Sequence, residues 1–253
     1  MNTRLIYRLL VLVIIFTSVQ VRAQELQLKE AEAAYAQADY TKAIDAYRSV
    51  LQTYGESAEV YYNLANASYK NNEIASAILY YERALLIDPG DTDISFNLEL
   101  ARQRTVDRIT PIGGFFLTQW LNKLQNMGAA DSWAWLGIGA FLLFIACLFV
   151  YFFSRQIILK KTGFYLGIFF LIIIIFTNIF AGNQKNELTQ HNKAIIFSPT
   201  VTVKSSPNPS GTDLFILHEG TKVAIRNTIS EWNEIELEDG NIGWMLAKDM
   251  ELI

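Results

Sequence analysis

The sequence predicts a multidomain membrane protein in which an all-α repeat domain, a two-helix transmembrane hairpin and a small all-β domain follow one another. Three observations predict this fold class: an internal repeat near the N-terminus, two long uncharged apolar runs in the middle, and a series of short β-type runs near the C-terminus. A chain of 253 residues is long enough for these parts.

Charge and cysteine content narrow the function classes. The net charge is −4 at pH 7, and both predicted soluble parts, 24–110 and 183–253, hold more acidic than basic residues. Because nucleic-acid binding depends on Lys and Arg that neutralise phosphates, we expect no nucleic-acid partner. The single cysteine, Cys147, lies within the first apolar run and cannot form an intramolecular disulfide.

Residues 1–23 are typical of a secretory signal peptide. Arg4 and Arg8 form a basic start, Leu9–Phe16 is apolar, and a cleavage site with small residues follows at Ala23. The apolar stretch is too short to span a bilayer comfortably, so we expect cleavage after Ala23. Cleaved or not, the segment directs the following domain out of the cytoplasm.

An internal repeat with a period of 34 residues fills residues 24–110. Ala43–Tyr47 aligns with Ala77–Tyr81, and a third copy begins at Phe96–Leu98, 34 positions after Tyr62–Leu64. This period and pattern resemble the tetratricopeptide repeat (TPR), a helix–turn–helix unit that stacks into a superhelix. The resemblance implies two repeats in this part of the chain.

The resemblance also places small residues where paired helices touch. In the second repeat these positions hold Ala65, Ala77 and Ala84, which let two helices approach closely. The next helix, predicted from Thr92 to Arg108, has no partner helix of its own. We therefore expect it to cap the stack.

Such a stack leaves a concave face lined by the first helix of each repeat. By resemblance to peptide-binding members of the family, nine residues would line a partner-binding groove: Lys29, Glu32, Tyr62, Asn63, Asn66, Tyr69, Lys70, Phe96 and Asn97. Asn63 and Asn97 can pair with a peptide backbone, because an amide side chain offers a donor and an acceptor. The alternative is that the tyrosines only pack between helices. Lys29 and Lys70 alone do not complete the basic clamp that some family members use for a carboxylate.

Residues 111–132 contain an amphipathic helix and a connector. The apolar residues of the helix recur at helical spacing: Phe116, Leu117, Trp120, Leu121 and Leu124. We expect this helix to lie in the membrane–water interface on the non-cytoplasmic side, with Trp120, Trp133 and Trp135 in an aromatic belt. The alternative is that its apolar face docks on the last repeat helix.

Two runs, Trp133–Phe153 and Gly163–Gly182, contain no acidic or basic residue. At about 1.5 Å rise per residue, each can cross a hydrocarbon core of roughly 30 Å as a helix. The loop 154–162 between them carries basic residues and no acid. Because short basic loops stay in the cytoplasm, both soluble domains should lie on the opposite side. The lack of charged groups in the spans argues against a transporter or channel.

The polar residues 183–192 are predicted to form a linker, and the residues after it predict a small β-barrel over 193–253. Six short β-type runs are bounded by turn residues: Ala194–Phe197, Val201–Val203, Leu214–Leu217, Lys222–Ile225, Trp232–Leu237 and Gly243–Met245. The spacing from Trp232 to Gly243 and Trp244 resembles the bacterial SH3-like (SH3b) module. Modules of this class bind peptides or cell-wall fragments. We expect Trp232 and Trp244 in the core; the alternative is a ligand-binding surface.

Catalytic and metal-binding patterns are missing from the sequence. Its two histidines, His191 and His218, are not grouped with a nucleophile, and no phosphate-binding glycine loop is present. We therefore expect a non-enzyme without a metal or cofactor.

The order of the parts is itself a signature. Together with Phe96–Arg102, Asp131–Trp135 and Leu214–Val223, it resembles the BatE proteins of the bacterial aerotolerance (Bat) operon. The resemblance implies an inner-membrane protein acting with other membrane-anchored Bat proteins in tolerance of oxygen or oxidative stress, and in such a membrane the loop charges place both soluble domains in the periplasm. The leading function is an adaptor that binds protein partners through the TPR groove and the barrel. Two alternatives stay open: a peptidoglycan-binding envelope protein that uses the SH3-like domain, and an enzyme whose site the sequence does not reveal.

Overall fold

The computed structural model describes residues 23–110 and 113–253; residues 1–22 of the predicted signal peptide and residues 111–112 of the connector lie outside this part. The helices are α1 (23–36), α2 (Tyr40–Tyr54), α3 (Ala58–Lys70), α4 (Ile74–Ile87), α5 (Thr92–Arg102), α6 (Phe116–Gln125), α7 (Ala130–Phe153) and α8 (Ile157–Gln190). The strands are β1 (Lys193–Ile196), β2 (Thr200–Lys204), β3 (Asp213–His218), β4 (Lys222–Ile229), β5 (Trp232–Glu236), β6 (Ile242–Leu246) and β7 (Met250–Leu252).

Helices α1 to α4 form the two helical hairpins that the repeat predicted. Ala65, Ala77 and Ala84 are fully buried, so the close helix contacts predicted at these positions are confirmed. Asp39 begins α2 by accepting a hydrogen bond from the backbone N–H of Lys42 at 3.2 Å, as an N-cap residue does.

The helix that follows the repeats is shorter than predicted. α5 ends at Arg102 and not at Arg108. Thr105 donates its hydroxyl to the carbonyl oxygen of Arg102 at 2.8 Å, and such local bonds compete with continued helix. Residues 103–110 instead turn toward the C-terminal sheet, where they make the contacts described below.

Helices α7 and α8 pack along each other through small residues. Gly137, Gly163 and Gly167 are buried, and a Cβ on Gly163 would lie 2.9 Å from the carbonyl oxygen of Cys147. Close approach through glycine is typical of paired membrane helices. Both helices are long and apolar enough to cross a membrane.

Helix α8 is longer than the predicted span. It begins at Ile157 and ends at Gln190, and so includes part of the predicted loop 154–162 and most of the predicted linker 183–192. These added turns contain no Gly or Pro, so the backbone satisfies its hydrogen bonds by continuing as helix. His191 follows the last helical residue and adopts a left-handed conformation with φ of 39°.

The strands form one antiparallel sheet in the order β3-β2-β6-β5-β4-β1-β7. All six predicted runs are strands, and β7 adds a seventh. Within the described chain the edge strands β3 and β7 do not pair, so the sheet is open where a barrel was predicted. At the β7 edge, Arg83 of α4 donates to the carbonyl oxygen of Leu252 at 2.6 Å. The repeats therefore contact this edge through a side chain, and strand pairing does not close it.

The sheet and the repeats share a hydrophobic core. Ile195 of β1 and Ile253 at the end of the chain are 0% and 4% exposed, and both lie in the same cluster as the buried residues of α1 to α5. The other cluster of the sheet includes Val203, Ile235 and Met245. The two soluble parts therefore form one packed body, where the sequence predicted two modules separated by a linker.

Candidate functional site: the cleft of the helical repeats

A cleft of about 350 Å³ opens on the repeats, between their first helices. Side chains from α1, α3 and α5, with one from α4, line it: Tyr35, Tyr62, Asn66, Tyr69, Lys70, Tyr81, Asn97 and Leu100. Tyr62, Asn66 and Tyr69 share one face of α3, because residues four and seven apart lie above one another on a helix.

Two asparagines tie the α3 and α5 sides of the cleft together. Asn97 donates from Nδ2 to the hydroxyl of Tyr62 at 2.8 Å and to Oδ1 of Asn66 at 3.3 Å. Tyr81 of α4 donates its hydroxyl to the same Oδ1 at 2.6 Å. Both amide groups are therefore held in one orientation before any ligand arrives, which lowers the entropy cost of binding.

Each of these amides keeps part of its hydrogen-bonding capacity. Within residues 23–110 and 113–253, Nδ2 of Asn66 and Oδ1 of Asn97 make no hydrogen bond. One is a donor and the other an acceptor. An extended peptide presents a carbonyl and an N–H in turn, so this pair of groups matches the needs of a peptide backbone.

The cleft offers positive charge at one side. Lys70 lines it, none of the lining residues is acidic, and the guanidinium of Arg104 lies 5.4 Å from the ring centre of Tyr69. Burial raises the pKa of Tyr81, so its hydroxyl remains a hydrogen-bond donor at neutral pH. This charge pattern favours a neutral or acidic segment over a basic one.

The structure brings five of the nine predicted groove residues into the cleft lining: Tyr62, Asn66, Tyr69, Lys70 and Asn97. The other four lie outside that lining: Lys29, Glu32, Asn63 and Phe96. Asn63 follows Tyr62 and is turned about 100° around the helix from it, so Asn66 takes the place expected for Asn63. Lys29 pairs with Glu25 at 2.7 Å on an exposed surface.

Three lining residues were missed from the sequence: Tyr35, Tyr81 and Leu100. The repeat held a signal for two of them, because Tyr35 and Leu100 stand 34 positions from Tyr69 and Asn66, which were predicted. Tyr81 packs between the helices at 2% exposure, and its hydroxyl fixes Asn66.

A buried acid joins the repeats to the sheet away from the cleft. Glu82 of α4 accepts hydrogen bonds from Arg102 at 2.5 Å and from Lys222 of β4 at 2.6 Å. Burial alone would raise the pKa of this carboxyl. The charges of Lys222 and Arg102 outweigh that effect and hold the pKa below its usual value.

Asp107 makes a second polar junction between the same parts. It follows α5 and accepts hydrogen bonds from His218 and Thr221 of the sheet region. Burial would raise the pKa of Asp107, but these hydrogen bonds lower it below its usual value. His218, which the sequence left without a partner, is a structural contact of Asp107.

Trp232 and Trp244 are half-buried on one face of the sheet. Along β5 and β6 they alternate with Ile235 and Met245, which are fully buried on the opposite face. Across the strands, Trp244 stands opposite Glu234. The tryptophans thus lie outside the core in which we expected them, because the period of two turns them to the other face.

The described residues contain no group of three or more His, Cys, Asp or Glu side chains that could hold a metal ion. Residues 28–92 match the tetratricopeptide repeat family, which identifies this part of the chain as TPR. No curated protein matches the chain. TPR stacks typically use concave surfaces to bind other proteins, so the match over residues 28–92 indicates a protein-interaction scaffold.

Proposed function

We propose that the protein is a membrane-anchored adaptor whose TPR cleft binds an extended peptide segment of a protein partner. The observation that carries the proposal is the fixed amide pair in the cleft lining, in which Nδ2 of Asn66 is a donor and Oδ1 of Asn97 an acceptor without a hydrogen bond among the described residues. Tyr35 and Tyr69 add aromatic surface, which buries ligand side chains at low entropy cost. Lys70 favours an acidic residue in the bound segment.

We propose that α7 and α8 anchor the chain in a bacterial inner membrane, with the repeats and the sheet in the periplasm. The length and composition of both helices and the basic segment 154–162 support this orientation. Reporter fusions at Asn126, Lys161 and the C-terminus test it. Only the fusion at Lys161 should be cytoplasmic, and a cytoplasmic signal at Asn126 would overturn the orientation.

The resemblance to the BatE family supplies the biological setting of the proposal. In that setting the partners are other membrane-anchored Bat proteins, and the adaptor contributes to tolerance of oxygen or oxidative stress. The protein acts by binding, without a catalytic step or a cofactor. The sheet, which resembles an SH3-like module, serves as a second contact.

A site-specific photocrosslinker tests the cleft in the full-length protein in its own membrane. We place it at Leu100, which lines the cleft, and as a control at Gln52, an exposed residue of α2. The proposal expects a crosslinked partner protein from Leu100 and none from Gln52. Equal crosslinking from both positions would contradict it.

Substitutions then test the amide pair and the charge. Asn97→Ala and Lys70→Glu should each weaken the crosslink at Leu100, whereas Asn63→Ala, outside the lining, should leave it unchanged. Lys70 is exposed, so Lys70→Glu separates loss of binding from loss of folding. An unchanged crosslink in both cleft variants would exclude this binding mode.

A second candidate function is binding of peptidoglycan by the sheet. The observation that favours it is the half-exposed position of Trp232 and Trp244 on a common face, where aromatic rings can stack on a ligand. Sedimentation of the full-length protein with purified sacculi tests it. Retention that is lost in Trp244→Ala and kept in Asn97→Ala would support it; no retention of the native chain would end it.

A further inference from the structure

Helix α6 carries an apolar face that the described part of the chain leaves uncovered. Phe116, Leu117 and Trp120 are 76%, 50% and 51% exposed. Asn122 lies on the opposite side of the helix, about 170° around the axis. A surface helix of a soluble protein turns its apolar stripe toward the core. Here these three side chains stay exposed among the described residues, so docking on α5 does not cover them.

The C-terminal end of α6 is hydrogen-bonded to the first turn of α7 and to the C-terminal part of α8. The carbonyl oxygen of Gln125 accepts hydrogen bonds from Nε1 of Trp133 at 2.8 Å and from Nε2 of Gln184 at 2.9 Å. Gln184 also donates to the carbonyl oxygen of Gly128 at 2.8 Å. Gln125 and Gln184 are only 7% and 5% exposed. We call these four residues the glutamine junction.

The glutamine junction sets the height of α6 relative to the hairpin. Trp133 begins the first uncharged run, and Gln184 follows the end of the second. Both residues therefore mark the same boundary of the apolar region, a level where tryptophan is common in membrane proteins. A helix bonded to that boundary, with aromatic and aliphatic side chains open on one face, meets the lipid surface there.

We propose that α6 lies in the membrane interface on the side of the soluble body, with its apolar face among the acyl chains, and that the glutamine junction holds it there. The inference rests on the membrane anchor of the proposed function and is independent of the partner. Its consequence concerns the cleft. A Cβ on Gly90, just after the second repeat, would lie 2.9 Å from the carbonyl oxygen of Met127, so the repeats sit directly on the turn that follows α6. The interfacial helix therefore holds the cleft at a set height above the membrane.

Spin labels on the full-length protein in lipid vesicles test the position of α6. In a Cys147→Ala background, single labels are placed by Leu117→Cys on the apolar face, Asn122→Cys on the polar face and Leu142→Cys on the lipid-facing side of α7. Collisions with oxygen, which concentrates in the bilayer, are compared with collisions with a water-soluble nickel chelate. We expect the labels at 117 and 142 to favour oxygen and the label at 122 to favour the nickel chelate.

The three labelled positions test the placement of α6 separately from the membrane anchor on which it rests. If the label at 142 favours oxygen while the labels at 117 and 122 both favour the chelate, the anchor stands and the placement of α6 is overturned. If the label at 142 favours the chelate, the membrane anchor fails and the placement of α6 fails with it.

A further variant tests the glutamine junction. Gln184→Leu removes both side-chain hydrogen bonds of Gln184. We expect the label at 117 to become more mobile and more accessible to the chelate, while the label at 142 reports an unchanged hairpin. Unchanged spectra at 117 would overturn the role of the junction.

Discussion

Asp107 and His218 are joined by two hydrogen bonds although 111 residues of sequence separate them. The backbone N–H of His218 donates to Oδ2 of Asp107 at 2.7 Å, and Nδ1 of its ring lies 2.8 Å from Oδ1. Thr221 donates its hydroxyl to Oδ2 at 2.7 Å. One carboxylate thus ties the segment that leaves the repeats to the turn between β3 and β4.

We expect Asp107→Ala to lower the free energy of unfolding by about 2–3 kcal/mol, because partly buried donors of His218 and Thr221 lose a charged acceptor. Denaturant unfolding of the detergent-solubilised chain, followed by tryptophan fluorescence, measures this change. Asp45→Ala is the matched control, since the Asp45 side chain is 75% exposed and its ion pair is long at 4.0 Å. Equal effects of the two substitutions would show that the contact carries no stability.

Stability should fall on acidification because of Glu82 and Asp107. Both carboxyls have a pKa below its usual value in the folded chain. Their contribution is therefore complete above the unfolded pKa, about 4 for these groups, and is lost as the pH falls through the lower folded values. Denaturant unfolding at a series of pH values between neutral and acidic measures the slope.

Glu82→Gln should make that pH dependence weaker. It should also destabilise the chain at pH 7, because Arg102 and Lys222 lose the charge that pairs them. Breaking a buried pair costs roughly 3–5 kcal/mol, and we expect less here since both cations are partly exposed. Glu30→Gln, at an exposed pair with Lys42, is the control. A slope that stays the same in Glu82→Gln would contradict the assignment.

Gly220 is required at the contact between the sheet and the repeats for two reasons. Its φ is +84°, and a Cβ there would lie 2.6 Å from Cγ2 of Thr105 and 3.2 Å from Cδ1 of Ile78. Gly220→Ala should therefore lower the free energy of unfolding by roughly 1–2 kcal/mol through left-handed backbone strain. The clash of the new Cβ with Thr105 and Ile78 should lower it further.

Thr105→Ser separates these two contributions, because it removes the Cγ2 atom that a Cβ on Gly220 would meet at 2.6 Å and keeps the hydroxyl. In a Thr105→Ser background, Gly220→Ala should cost mainly the backbone strain, and thermal unfolding should show a smaller loss of stability than in the native background. If the loss is the same in both backgrounds, the packing between Gly220 and Thr105 contributes nothing.

The shared core predicts that the repeats and the sheet unfold together. Ile195 is 0% exposed, so Ile195→Ala should lower the free energy of unfolding by about 2–5 kcal/mol. It should also lower the unfolding midpoint of both the repeats and the sheet. Ile216→Ala on β3, where the side chain is 56% exposed, should change stability by much less. Hydrogen exchange of the two parts checks this, and loss of protection confined to the sheet in Ile195→Ala would refute the shared core.

Local patterns in the sequence predicted the secondary structure of most of the chain. The 34-residue period located the repeat helices, and it related Tyr35 to Tyr69 and Asn66 to Leu100 across the cleft. Alternation and turn residues located all six predicted strands. These features depend on residues that are a few positions or one repeat period apart, so they can be recognised in the sequence alone.

Helix phase and the direction of side chains were harder to predict. Of the predicted residues Tyr62, Asn63 and Asn66, the helical phase of α3 brings Tyr62 and Asn66 to the cleft and turns Asn63 away from it. On β5 and β6, the alternation of side chains turns Trp232 and Trp244 away from the core. In both cases the residue type suited either position, so only the folded helix and sheet could choose between them.

The sequence by itself determined the order of the parts: a helical repeat domain, two apolar helices long enough for a membrane, and a strand-rich end. The tertiary structure decided that the sheet stays open and packs on α4, that Asp107 meets His218, and that Gln184 meets Gln125. The physical reason is distance along the chain. Periodicity and turn chemistry are local, whereas a contact between residues tens of positions apart forms only when complete elements dock and bury their surfaces together.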